Sequence, residues 1–219
     1  EELGETDASI RGTLRVGAMH LTGSFVIADA IDDLSRQFPN AEISVRLGER
    51  KSLMRALRNG EVDVVVGLLW GGVDESEITR ERLVELPYVI VGGSKHPLAG
   101  RKGVRLTELC EYDWIAPNLG TARRATYDKM VAAMPKSPNA AIHASALATL
   151  RLLIAKSERL AVLTKFEFDQ EFGMGGFALI DVEPIVSNHH LGMVWRSNWL
   201  PTNMHKHFLD LMRIKTKNF

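Results

Sequence analysis

The sequence predicts an α/β fold, and three observations carry that prediction. The first 70 residues alternate strand-like and helix-like hydrophobic spacing in the order βαβαβ. One of these strands, Val62 to Leu69, is almost continuously apolar, and the stretch after about residue 110 repeats the same alternation. A strand with no polar face belongs at the centre of a parallel sheet, where helices cover both sides.

Each element has its own signal. Thr13 to Ala18 puts Leu14, Val16 and Ala18 on one face of a strand. Ile27, Ile31, Leu34 and Phe38 form one stripe of a helix, entered through Thr22 or Ser24 as N-cap and stopped by Pro39. Ile43, Val45 and Leu47 alternate as a second strand, and Leu53, Ala56 and Leu57 mark a short helix closed by Asn59-Gly60. A fourth strand is expected from about Leu83 to Val91. Pro87 inside it cannot donate to a ladder, so this strand is an edge, is bent, or leaves its sheet. Beyond it the spacing predicts a strand at Trp114 to Ala116, a helix from Ala122 to Met134, and a helix on Leu147, Leu150 and Ile154. Strands follow at Leu160 to Leu163, Phe177 to Val182 and Leu191 to Trp195, and then a terminal helix carrying Met204, Phe208, Leu211 and Met212.

Composition narrows the function. At 219 residues the chain holds one or two domains, and 45% hydrophobic content suffices for a core. Lys and Arg number 27 against 27 Asp and Glu, which argues against DNA contact by this chain, since nucleic-acid binders show a clustered basic excess. A single cysteine, Cys110, permits neither an internal disulfide nor a cysteine zinc cluster and points to the cytoplasm. No run reaches the roughly 18 apolar residues of a membrane span, and acidic Glu1 to Asp7 lacks a signal-peptide pattern.

Enzyme motifs fail one by one. No Gly-x-Ser-x-Gly elbow occurs; Gly92-Gly-Ser-Lys95 lacks phosphate-loop spacing and runs into Pro97; Gly173-Met-Gly-Gly176 has the wrong spacing for a dinucleotide loop. His189 and His190 would point to opposite faces of a strand, and His205 and His207 lie about 200° apart on a helix, so neither pair chelates easily. No metal, cofactor or catalytic residue is expected.

Gly12-Thr-Leu-Arg-Val-Gly-Ala18, the helix ending Phe38-Pro39, Ala56-Leu-Arg-Asn-Gly-Glu-Val-Asp63 before an apolar strand, and Lys95-His-Pro-Leu98 occur in one order, followed by Leu106-Thr-Glu-Leu109 before Trp114-Ile115. In that order, over about residues 12–213, they resemble the effector-binding domain of LysR-type transcriptional regulators. The resemblance implies a two-lobed type 2 periplasmic-binding-protein fold with a hinge of two crossover strands, at Tyr88 to Gly93 and Leu191 to Trp195. Lobe one would be 12–91 with 194–219, and lobe two 92–193. It also implies a small-molecule effector in the interlobe cleft and an N-terminal helix-turn-helix domain, absent from this chain, that alone touches DNA. Self-association as an antiparallel dimer, and as a tetramer at full length, is implied as well. A transport solute-binding protein of the same fold is the alternative. Two positions depart from the family pattern: Leu21 stands where a Ser or Thr is usual, and Ser157-Glu158-Arg159 replaces a Gly-x-Gly turn.

Open α/β sheets bind ligands beyond the carboxyl ends of their strands, at helix N-termini whose free N–H groups favour anions. That rule selects His20, Leu21, Thr22 and Ser24 after strand one, Arg50 after strand two, and Leu68 and Trp70 at the end of strand three. In the second half it selects Asn118 and Thr121 ahead of one helix and Ser145 ahead of the next, while Arg123 and Arg124 are expected to be solvated. Arg50 and the capping loops favour a small carboxylate or a sugar-like effector over a lipid.

Overall fold

The computed structural model describes residues 12–19, 24–69, 77–172, 176–185 and 189–217. The chain divides into two compact units, Glu1–Glu85 with His189–Phe219 and Leu86–Asn188, so it passes from one to the other twice.

The first unit is built on β1 (Thr13–Met19), α1 (Ser24–Gln37), β2 (Glu42–Gly48), α2 (Arg50–Arg58), β3 (Val64–Leu69) and β4 (Ile78–Glu85). The second contributes β5 (Tyr88–Gly93), α3 (Leu106–Leu109), β6 (Trp114–Ala116), α4 (Ala122–Ala132), β7 (Ile142–His143), α5 (Leu147–Ala155), β8 (Leu160–Thr164), α6 (Lys165–Phe172) and β9 (Phe177–Ile185). The chain then returns through β10 (His190–Arg196) to α7 (Asn203–Thr216).

Sheet one has the order β2-β1-β3-β10-β4. β3 is central, as its apolar run requires, with Val64 to Gly67 all buried. The sheet is mixed: β1, β2 and β3 are parallel, whereas β10 runs antiparallel to both β3 and β4. Leu53, Met54, Ala56 and Leu57 of α2 pack on Met19, Val65 and Val194. A Cβ on Gly17 would lie 3.1 Å from both Leu53 and Val65, tighter than ordinary contact, so glycine lets α2 sit close to β1 without displacing either side chain. Helix α1 buries Val26, Ile27, Ala30 and Leu34, and Phe38 directly after it is buried too. Its Asp33 pairs with Lys215 of α7 at 2.5 Å.

Sheet two has the order β7-β6-β8-β5-β9. Alternation divides its residues between two cores. Ile90, Trp114 and Val162 join Tyr127 and Met130 of α4, while Val91, Ile115 and Leu163 join Leu147, Leu150 and Ile154 of α5. Buried His96 closes the turn after β5: its Nδ1 accepts from Leu98 N–H at 3.0 Å and its Nε2 donates to the Glu158 carbonyl at 3.2 Å. Ser157 closes the turn after α5 without glycine, its hydroxyl donating to the Leu153 carbonyl at 2.7 Å and accepting from Arg159 N–H at 3.4 Å.

The structure corrects several expectations. The strand expected from Leu83 to Val91 is two strands in two sheets. β4 ends at Glu85, and Leu86-Pro87, where the ladder lacks a donor, carries the chain out of sheet one. Strand pairing accordingly puts all of β5 in the second unit and all of β10 in the first, which moves the boundaries from 91/92 and 193/194 to 85/86 and 188/189. Val26, which lies off the stripe of Ile27, Ile31, Leu34 and Phe38, is buried as well, because the apolar face of α1 is wider than one stripe. Helix α6 has no apolar periodicity and goes unread by spacing alone.

Candidate functional site

In the second unit β6 and β7 run parallel, with Ala116 opposite His143, so the segments that follow them leave from the same edge of the sheet. Three of the expected residues meet there. Ser145 Oγ accepts from Asn118 N–H at 3.0 Å, Thr121 Oγ1 donates to the Asn118 carbonyl at 2.9 Å, and Thr121 Oγ1 also accepts from Arg124 N–H at 3.1 Å. Thr121 is thus the N-cap of α4, and its one proton is committed. Ser145 acts as an acceptor and keeps its proton to donate. Gly120, at φ +76°, supplies the left-handed turn that brings Thr121 back over Asn118. Asn118 itself is exposed.

The arginines of α4 are not solvated as expected. Arg123, its side chain only 12% exposed, donates to both oxygens of Glu167 at 2.5 and 2.6 Å. Glu167 also accepts from the backbone N–H and the hydroxyl of Thr164, which together form the N-terminal cap of α6. Burial pushes the nearby Tyr88 phenol up to about 12, against the opposing pull of the Arg123 charge. Arg124 donates to the Pro117 carbonyl at 3.2 Å and to Asp128 at 2.7 Å, fastening the loop that carries Asn118. The signal available in the sequence was Thr164-Lys-Phe-Glu167, a capping box ahead of an apolar pair.

In the first unit Arg50 opens α2 directly after β2, and Leu68 lies near the carboxyl end of β3. Both line a hollow with Met19, Met54, Leu69, Ile78, Arg80 and Val194. Burial, and after it the charge of Arg80, holds the Arg50 guanidinium below its usual value. Glu49 takes the N-cap position of α2 without a side-chain cap bond. Arg80 lies outside the sequence expectations because apolar spacing starts the fourth strand only at Leu83, past the mixed alternation of Ile78-Thr-Arg-Glu-Arg82. His20, Leu21, Thr22 and Trp70 lie outside the described residues, as does the side chain of Ser24, whose backbone begins α1.

Among the described residues no group of three His, Cys, Asp or Glu side chains could hold a metal ion, and no helix is long and apolar enough to cross a membrane. Cys110 is buried and donates to the Thr107 carbonyl at 3.1 Å.

Residues 7–216 match the family model for the LysR substrate binding domain. The HTH-type transcriptional regulator GalR of Pseudomonas putida is 26% identical over 200 residues, which cover 91% of this chain and 50% of that protein, so the chain spans half the length of this relative. Two solved structures share the fold. The CcmR regulatory domain of Synechocystis PCC6803 in complex with 2-PG is similar at a TM-score of 0.77 and 18% identity, covering 94% of this chain and 98% of that one. The effector binding domain of QuiR in complex with shikimate is similar at a TM-score of 0.73 and 16% identity, covering 95% and 99%. Each unit repeats the mixed five-stranded α/β layout of this two-lobed, periplasmic-binding-protein-like fold. The chain belongs to the LysR substrate binding domain family.

Proposed function

We propose that this chain is the effector-sensing part of a LysR-type transcriptional regulator, working in the cytoplasm. A small carboxylate or sugar-like effector binds it and alters the DNA binding of a helix-turn-helix domain outside this chain. No bond is made or broken. The effector shifts a population between arrangements to the extent that it binds one of them more tightly. Self-association as a dimer, and as a tetramer at full length, would link the DNA-binding domains to this response.

The observation that carries this reading is the cluster of Ser145, Asn118 and Thr121. The hydroxyls of Ser145 and Thr121 are held against the backbone N–H and carbonyl of Asn118 by bonds of 3.0 and 2.9 Å, as a preorganised polar site requires. Family membership and the regulatory-domain structures support it over a transport solute-binding protein. The complexes of the CcmR regulatory domain with 2-PG and of the QuiR effector binding domain with shikimate support a small-molecule effector.

Calorimetric titration with small acids and polyols, 2-PG and shikimate among them, tests the reading. One compound should bind saturably, and Thr22→Val, Thr121→Val and Ser145→Ala should each weaken it roughly 2- to 150-fold, the loss of one neutral or charged hydrogen bond. Unchanged affinity in all three variants would overturn the assignment.

A further inference from the structure

Sheet two carries a second hollow at the end opposite the polar cluster. Asn118 and Ser145 follow β6 and β7, whereas Glu111, Tyr112 and Asp113 lead into β6, and Ser157, Glu158 and Arg159 lead into β8, which runs parallel to it. These six residues line a groove of about 280 Å³. At about 30 Å³ per water it has room for roughly nine waters, or for a ligand with about as many non-hydrogen atoms.

The two walls are fixed to each other and to the core. Leu160 N–H donates to the Asp113 carbonyl at 2.9 Å. Buried His96 holds both walls: its ring lies against Tyr112, with centroids 4.6 Å apart, and its Nε2 donates to the Glu158 carbonyl. Ser157 commits its hydroxyl to the backbone of Leu153 and Arg159. A groove held this way loses little freedom when a ligand enters.

Its charged groups are unevenly matched. Glu111 pairs with Lys136 at 2.9 Å, and Asp113 accepts from Asn139 at 3.0 Å. Arg159 approaches Asp113 only to 4.0 Å, beyond hydrogen-bond distance, and among the described residues the exposed Glu158 carboxylate has no ion-pair partner. One guanidinium and one carboxylate, neighbours in sequence and not paired with each other, thus keep donors and acceptors for the same groove. Arg159 stands where the family pattern has glycine, so this set is a feature of this chain rather than of the family layout.

The mixture of signs selects the class of ligand. A simple anion drawn to Arg159 would face the carboxylates of Glu111, Asp113 and Glu158, and a simple cation on Glu158 would leave the Arg159 donors without an acceptor. A zwitterion answers both: its carboxylate spans the guanidinium fork, and its ammonium donates to the carboxylate. We propose that this groove is a second ligand site, taking a small α-amino acid whose carboxylate meets Arg159 and whose ammonium meets Glu158. The site goes beyond the effector reading above and does not rest on it.

Calorimetric titration of the chain with glycine, L-alanine, L-serine, L-leucine and L-methionine tests it, with propionate and ethylamine as single-charge controls. At least one amino acid should bind saturably, and propionate and ethylamine each at least about 10-fold more weakly. Glu158→Gln and Arg159→Gln should each weaken that amino acid roughly 10- to 150-fold, the loss of a charged hydrogen bond, and exposed Lys102→Gln should change nothing. Arg159→Lys, which keeps the charge and loses the fork, should fall between wild type and Arg159→Gln. Circular dichroism checks the fold, and if Arg159→Gln does not fold, Glu158→Gln decides, wild-type affinity counting against the site. Absence of amino-acid binding at about 10 mM, propionate or ethylamine binding as tightly as the amino acid, or unchanged affinity in both glutamine variants would overturn the proposal. Amino-acid binding that is weakened by Thr121→Val and Ser145→Ala but indifferent to Glu158→Gln and Arg159→Gln would place the amino acid at the polar cluster, sinking the groove and leaving the effector reading in place.

Discussion

Arg123 on α4 gives one guanidinium nitrogen to both carboxylate oxygens of Glu167 on α6, and Glu167 itself is 97% buried, being 3% exposed. The pair joins the helix capped by Thr121 to the end of β8, and Tyr88, opposite Thr164 in the ladder, extends it to the first residue of β5. A buried charge that loses its partner keeps its desolvation cost, so either partner alone is expensive to remove. Arg123→Met or Glu167→Gln should destabilise the protein by about 3–5 kcal/mol in urea unfolding, and the double variant by less than the sum of the two. Additive losses, or single losses below about 1 kcal/mol, would show that the pair is not coupled.

His96 sets a pH dependence whose sign follows from its bonds. Burial holds its pKa below the ordinary 6.5, and Nδ1 must stay unprotonated to accept from Leu98 N–H. The unfolded chain therefore takes up this proton at a higher pH than the folded one. The stability linked to His96 is complete above about pH 6.5 and declines as pH falls below it. Urea unfolding at pH 7.5 and 5.5 should show a loss of stability on acidification that is smaller in His96→Gln. An equal loss in both proteins would remove His96 as the cause.

Edge strand β2 leaves Val45 51% and Leu47 61% exposed. An apolar row on an unpaired sheet edge favours association, and in a two-fold dimer each substitution acts twice. Val45→Lys and Leu47→Lys should move a dimer toward monomer in sedimentation velocity, as should Asp29→Arg on exposed α1 surface. Asp33→Arg is a poorer probe, because Asp33 holds Lys215 and would disturb the contact of α1 with α7. A monomeric wild type, or dimers in every variant, would exclude this surface.

With 27 positive and 27 negative side chains, this chain should give no sequence-specific duplex shift at physiological salt. A specific gel shift by these 219 residues would contradict the assignment of DNA contact to another domain.

Sequence periodicity by itself determined the βαβαβ opening, the central place of β3 and the helices α2, α5 and α7. In each of these, hydrophobic spacing and local stop signals such as Asn59-Gly60 agree, and both are properties of neighbouring residues. It also placed Asn118, Thr121 and Ser145 ahead of helices, since N-capping residues are local signals. Only tertiary structure decided that Leu86-Pro87 separates two sheets, because strand-like residues stand on both sides of Glu85 to Pro87 and pairing partners are remote in sequence. Tertiary structure likewise decided that Ser145 holds Asn118 across 27 residues, that Arg123 is buried on Glu167 across 44, and that Arg50 and Arg80 face one hollow. A charged side chain looks solvated in any local window. Whether it is depends on which distant element the fold lays over it, and that is settled by long-range packing.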